Sequence, residues 1–279
     1  VSSDVFLART VLVHRGRPMR RAVFRLAAGL AVGAVLFFLL LPTLLVIPMS
    51  LSSTDYIRLP PAGLTLRWYA AYIADPDWRA ATLFSLEIAS ATTIAATLIG
   101  TLASLAVVRG TLPGRGTLQA LAMAPMIVPH IVFGVALYLV FAPIGLTGNF
   151  AGFVVAHSVL SIPYVVITVT AALERFDPSL ELAALSCGAT RTRALFAVVV
   201  PNIMPSLAAA AIFAFLASFD EATVAFFISD AGGKTISRKV FEDIDFNLTP
   251  IIAAVSTLMV AVSLLLMGSV ELLKRRRED

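Results

Sequence analysis

The chain has 279 residues, 59% of them hydrophobic and only 14% charged, with a formal net charge of +4. Its mean hydropathy is +0.92, whereas soluble domains carry about a quarter charged residues, so the composition is that of an integral membrane protein. The single Cys187 excludes an internal disulfide and a cysteine-built metal cluster, and histidines at 14, 130 and 157 are too scattered for a metal set.

Six apolar stretches reach the length of roughly 20 residues needed to cross a bilayer as helix: 27–49, 81–108, 118–142, 150–173, 205–228 and 250–270. The expected fold is therefore an all-α membrane protein with six transmembrane helices. The first run follows an arginine-rich segment, as in a signal peptide. It is too long for that and lacks a small-residue cleavage site, which makes it the first membrane helix.

All 21 Lys and Arg residues fall outside these spans. One alternate set of segments holds Arg9 to Arg25, then Arg109 and Arg115, then Arg175, Arg191 and Arg193, and finally Lys274 to Arg277. The opposite set holds only Arg58, Arg67, Arg79, Lys234, Arg238 and Lys239. Positive residues favour the cytoplasm, so both termini are expected there. The charge excess belongs to topology rather than to nucleic-acid binding. The chain divides into a basic tail 1–26, a six-helix domain 27–273 that includes a long cytoplasmic loop 174–205, and a short cytoplasmic tail 274–279.

In the first outward segment, the aromatic run Trp68 to Tyr72 suits a short helix at the membrane interface or a helix packed on the bundle. The third and fourth spans contain Pro125, Pro129, Pro143 and Pro163. Each removes a backbone donor, and such kinks are tolerated where protein or a polar cavity re-satisfies the backbone. The second outward segment carries Gly232-Gly-Lys-Thr235, the tail of a phosphate-binding loop, but Ile228 stands where the motif needs its first glycine. No catalytic constellation is present, so the chain is read as a non-enzyme with no cofactor or metal of its own, and any ATP and Mg chemistry belongs to a partner.

Three carboxylates fall within spans: Glu87, Asp220 and Glu221. Intramembrane carboxylates are costly and face a cavity or a partner group. Placed inside the fifth span, adjacent Asp220 and Glu221 would point about 100° apart on a helix, so at most one faces a pathway. A cationic cargo and a structural link are both open readings. His130 and His157 also sit on spans; either could contact cargo, against the alternative of a hydrogen-bonded packing residue, and His157 is the one taken as a pathway candidate. Glu87 sits near a span end, where it can snorkel.

The long loop is the most informative stretch. Asp177 is placed to cap a helix that starts at Pro178. Leu180, Ala183, Ala184 and Cys187 then form one apolar stripe at i, i+3, i+4, i+7. Gly188 supplies a left-handed stop. Thr190 caps a second short helix through Val200, closed by Pro201. The arrangement fits a docking element for another protein, or an amphipathic connector packed on its own bundle.

The loop resembles the cytoplasmic EAA loop of ABC-importer permeases, whose pattern is Glu-Ala-Ala, three residues, Gly, nine residues, then Ile-x-Leu-Pro. Here Leu182-Ala183-Ala184, Gly188 and Val198-Val-Val-Pro201 keep that spacing. The motif Glu is replaced by Leu182, with Glu181 one residue earlier. In the family that Glu pairs with an ATPase arginine, so either Glu181 substitutes or docking rests on shape. Residues 81–116, ending in Val108 to Gly116, look like the second helix and following loop of these permeases. Pro125-Met-Ile-Val-Pro129, Ala156-His157 with Ile162-Pro163, and Phe215 to Glu221 also look like them. Phe241 to Pro250 with Ala253-Ala-Val-Ser256 is similar to the spermidine/putrescine C-type subfamily.

The resemblance implies a multi-pass subunit of a bacterial inner-membrane importer. It would form half of the pathway for a small solute, a polyamine first, with opine, 4-aminobutyrate, aminoethylphosphonate or ferric ion as alternatives. Its implied partners are a second permease subunit in a heterodimer, two cytoplasmic ABC ATPases and an extracytoplasmic substrate-binding protein. Glu181, Leu182, Ala183, Ala184, Gly188 and Pro201 would serve ATPase coupling. A competing class is an ion-coupled secondary transporter or channel, with Asp220 and Glu221 as ion sites.

Overall fold

The computed structural model describes the backbone of residues 3–110, 113–230, 233–246 and 249–275, and the side chains of those stretches between 24 and 271, Phe246 excepted. Gly232 of the discarded phosphate motif, Asn247-Leu248 of the family resemblance, the side chains of the basic tail up to residue 23 and tail residues 276–279 lie outside this description.

Every regular element among the described residues is helical. Helix α1 runs from Ser3 to Ser50, and its apolar part, Phe24–Ser50, buries none of its most apolar window. It leans on the last helix, α12 (Pro250–Arg275), and ends against α2 (Arg67–Ala74). There the Ser50 hydroxyl lies 2.7 Å from the Tyr69 hydroxyl, and the buried Trp68 indole donates to the Ser52 carbonyl at 2.7 Å. The aromatic segment is thus fastened to the bundle rather than lying free.

Asp75 caps α3 (Pro76–Arg109) by accepting from the Asp77 and Trp78 amides, with Pro76 in the first turn. The buried face of α3 carries Ser85, Ala89, Thr92, Ala96, Gly100 and Ser104. Small residues recurring about every four positions let two helix backbones approach closely in a membrane bundle. The partner is α6 (Phe150–Arg175); a Cβ on Gly100 would lie 2.7 Å from the Val165 side chain. Helix α6 is the most enclosed span, with 56% of its most apolar window buried. It continues through Pro163 without interruption.

The predicted third span is not one straight helix. It comprises α4 (Arg115–Ile127) and α5 (His130–Phe141), bent by 102° with the short turn that follows α5. Pro129 has no amide hydrogen, and it pushes the preceding Val128 into extended geometry (φ −73°, ψ 128°). Five helices among the described residues are long and apolar enough to cross a membrane, and the bent pair would make a sixth.

The fifth span also differs from its sequence assignment. The loop helices are α7 (Pro178–Ser186) and α8 (Arg191–Ala194). Helix α8 does not stop at Pro201: a π-helical turn, Leu195–Val199, leads straight into α9 (Val200–Phe219). Pro201 cannot donate to the preceding turn, and the wide turn sits immediately before it. The apolar rod therefore spans Arg191–Phe219, and the chain breaks at Asp220 before the short α10 (Thr223–Ile228). Asp220 and Glu221 lie at the end of a helix, not in the middle of one. Helix α11 (Ile236–Phe246) closes the α2 end of the bundle: its first amide is held by Ser85 Oγ at 2.7 Å, and Ser237 donates to the Phe219 carbonyl at 3.0 Å.

Candidate functional site

Two broken helices meet inside the bundle. Asp220 ends α9 with its amide on the Leu216 carbonyl, and the chain turns through Glu221 into α10. Glu221 is 7% exposed. One carboxylate oxygen accepts the Val224 amide hydrogen at 2.8 Å, capping the start of α10, and the other lies 3.3 Å from Nδ1 of His130. His130 is the first residue of α5, just past the Pro129 break, and is half exposed. A cavity of about 100 Å3 opens on this pair, lined by Pro125, Met126, His130, Tyr164, Ala217 and Glu221 among others. One oxygen of the buried carboxylate is held by backbone and the other lies beside the His130 imidazole at the cavity wall.

Of the adjacent carboxylates only Glu221 enters this cavity, and Asp220 is exposed at the helix end. His157 lies elsewhere. It is 1% exposed in α6, with Nδ1 2.9 Å from the Ser218 hydroxyl and its ring edge-on to Phe153. Nε2 of His157 has no hydrogen-bond partner among the described residues. An acceptor nitrogen without a partner costs less than a buried N–H without one, which favours the tautomer with its proton on Nδ1, facing Ser218. Glu87 is on the exposed face of α3.

At the other end of the bundle the loop forms as its residues dictate. Asp177 caps α7 by accepting the Ser179 amide at 2.9 Å, a bond that holds its carboxyl below the usual range. At the far end Gly188 has φ +87°. The Gly188 amide bonds the Leu185 carbonyl and the Ala189 amide bonds Ala184, both at 3.0 Å, which is the Schellman stop. Thr190 then caps α8 through the Arg193 amide. Leu180, Ala183 and Cys187 of the apolar stripe are exposed and Ala184 is half-buried. Leu182, at the position of the motif Glu, is 62% exposed. Pro201 is exposed near the start of α9.

Glu181 faces the other way. Its carboxylate pairs at 2.5 Å with Arg109, the last residue of α3, and both side chains are 24% exposed. The Arg109 guanidinium also lies over the ring of the buried Phe176, 5.3 Å from its centroid. Beside the pair is a cleft of about 660 Å3 lined by Leu105, Leu173, Leu185 and Arg191 among others.

Sequence reasoning weighs His130 as a lone span histidine but misses its pairing with Glu221, and misses that of Arg109 with Glu181. The signal for His130 was its place directly after Pro129, where a helix restarts and its first side chain is turned into the break. The position of Arg109 after a span marks it only as a topological charge.

A bundle of membrane-length helices, broken where a carboxylate is buried and carrying a capped helix pair at one end, defines a multi-span transport subunit. The chain belongs to the family described as binding-protein-dependent transport system inner membrane component, whose profile matches residues 96–279. It is thus a multi-pass permease subunit of the bacterial inner membrane. It is 30% identical over 229 residues to the putrescine transport system permease protein PotI of Escherichia coli K12, covering 80% of this chain and 81% of that one. It is 26% identical over 251 residues to the spermidine/putrescine permease protein PotC of the same organism, covering 90% and 95%. It is also 31% identical over 268 residues to the sulfate transport permease protein CysT of Salmonella typhimurium LT2, covering 91% and 93%. The fold is similar to a chain of the bacterial alginate ABC transporter crystallised with its pentasaccharide-bound periplasmic protein, with a TM-score of 0.66, 14% identity and coverage of 90% and 94%.

Proposed function

We propose that this subunit forms half of the translocation pathway of an ATP-driven importer for polyamines. The observation that carries the cargo class is Glu221, a buried carboxylate opening on a cavity at the junction of two broken helices. Similar identities to putrescine and sulfate permeases mean that likeness alone does not choose the substrate. A carboxylate there attracts an ammonium group and repels sulfate, which favours the polyamine reading. Asp220, exposed at the same junction, extends the negative potential, and His157 supports the wall by holding Ser218.

In this reading both termini and the α7 end face the cytoplasm, and α2 and α11 face outward. The exposed stripe of α7 meets one of two cytoplasmic ABC ATPases, which bind the ATP and Mg. A second permease subunit completes the pathway, and an extracytoplasmic binding protein delivers the cargo. Closure of the ATPases displaces α7 and shifts the bundle from inward- to outward-open, and hydrolysis resets it. The test is ATP hydrolysis and uptake by the reconstituted complex with its binding protein, challenged with putrescine, spermidine, 4-aminobutyrate, an opine, aminoethylphosphonate, ferric ion and sulfate. Stimulation by the two polyamines alone supports the assignment, and stimulation by sulfate overturns it. Uptake that persists without any ATPase and collapses with the ion gradient would establish the ion-coupled alternative.

A further inference from the structure

We propose that the Glu181–Arg109 ion pair is the joint through which movement of α7 reaches the transmembrane bundle, and that Glu181 is therefore not the residue by which the loop grips its ATPase. The inference rests on the docking reading above, and concerns how the docked loop is connected inward.

The two faces of α7 are chemically different. Outward it shows Leu180, Leu182, Ala183 and Cys187, all exposed and uncharged. Inward it sends Glu181 to the end of α3, where three-quarters of each side chain of the pair is shielded from solvent. A partly buried ion pair is weak evidence for stability, but losing one partner leaves the other charge poorly solvated. Glu181 thus cannot leave Arg109 for an outside arginine without stranding it. Arg109 is itself fixed a second time, over Phe176, whose ring belongs to the buried cluster containing Leu173, Val199 and Ile203 of α6, the π turn and α9.

Helix α3 continues rigidly from Arg109 along the small-residue face that packs on α6 and α9. A push on α7 delivered through a short, charge-assisted contact is passed along the axis of α3. Helix α7 is also joined to α6 through Phe176-Asp177 and to α8 through the hydrogen-bonded turn at Gly188, and it packs on the π turn. The ion pair is the attachment that ties it to the end of α3. Leu182, in place of a charged residue, leaves an apolar contact as the means of docking.

The experiment uses the whole importer, with its ATPases and binding protein, in proteoliposomes. Glu181→Gln and Arg109→Gln are made singly and together, alongside the exchange Glu181→Arg with Arg109→Glu. Three quantities are read: ATPase retained on purification, ATP hydrolysed, and polyamine imported per ATP. Both single variants are expected to keep the ATPase and to hydrolyse ATP, while import per ATP falls about fivefold or more, within the range found for residues that carry coupling. The double Gln variant should be no worse than either single one, and the exchange should recover import to within about twofold. Loss of the ATPase from Glu181→Gln but not from Arg109→Gln would make Glu181 the ATPase contact and overturn the proposal. Unchanged import per ATP in the singles, or additive losses in the double, would overturn it as well. If the exchanged protein does not accumulate, the double Gln variant decides. Absence of any ATPase from the unmodified complex would instead defeat the docking reading itself.

Discussion

His130 and Glu221 stand 3.3 Å apart although they are 91 positions apart in sequence; His130 opens the helix after one break, and Glu221 lies within another, between α9 and α10. One break follows from Pro129, and the other from the end of α9 at Phe219. Two interruptions that would each leave backbone groups unsatisfied in lipid are brought to the same place. There Glu221 satisfies the Val224 amide and lines a small cavity with His130.

Removing the Glu221 charge separates its two functions. Glu221→Gln keeps a carbonyl oxygen for the Val224 amide but loses the charge toward His130 and the cavity. Polyamine uptake is expected to fall about 10-fold or more, the loss of one charged hydrogen bond, with expression and ATPase retention unchanged. Glu221→Ala loses the cap too and should also lower thermal stability in detergent. Uptake at the unmodified level in Glu221→Gln removes the residue from the pathway.

His157 gives a contrasting case. Because it is buried on Ser218 and outside the cavity, His157→Ala is expected to destabilise the protein by about 2 kcal/mol through a void and an unpaired hydroxyl. Uptake normalised to folded protein should stay within about twofold of the unmodified level, less than a direct charged contact would cost. A selective loss of uptake with an unchanged melting temperature would return His157 to the cargo path.

The close approach of α3 and α6 is tested at Gly100. A methyl group there collides with Val165, so Gly100→Ala is expected to cost about 1–3 kcal/mol, as overpacking does. Val165→Ala on the same background should recover part of that loss. Both are read from thermal unfolding in detergent.

The docking face is tested at Leu182. Leu182→Lys places a charge where an exposed leucine would be buried on assembly, and forfeits about 1.5–3 kcal/mol of apolar burial. ATPase retention should drop by about 10-fold or more, the equivalent in binding. Leu182→Met should retain it. Gly188→Ala forces a side chain into the left-handed region at a cost of about 1–2 kcal/mol, and should weaken retention to a smaller degree.

The class, the helical character and the loop caps could be read because they are local. Apolar length marks a span, and Asp177, Pro178, Gly188 and Thr190 act on amides within three residues of themselves. The run 205–228 was misread because hydropathy sees no difference between a helix passing through Asp220 and one ending there. It was equally blind to the start of that rod at Arg191, where Pro201 looked like a stop and the π turn absorbed it. Among the prolines, Pro129 breaks the chain and Pro163 does not, since tertiary packing decides whether the backbone can afford a continuous helix. The pairs His130–Glu221 and Arg109–Glu181 are products of that packing and leave no trace in spacing.

The first helix has a consequence for the lipid around it. An apolar run of 27 residues measures about 40 Å as α-helix, against roughly 30 Å of hydrocarbon, so α1 tilts or the bilayer thickens around it. Its C-terminal end is pinned by Ser50 to Tyr69, while the rest of its length is held chiefly by α12. Membrane thickness is therefore felt first as a change in the slope of α1 about that pinned end, and the sheltered α6 senses it only through its neighbours.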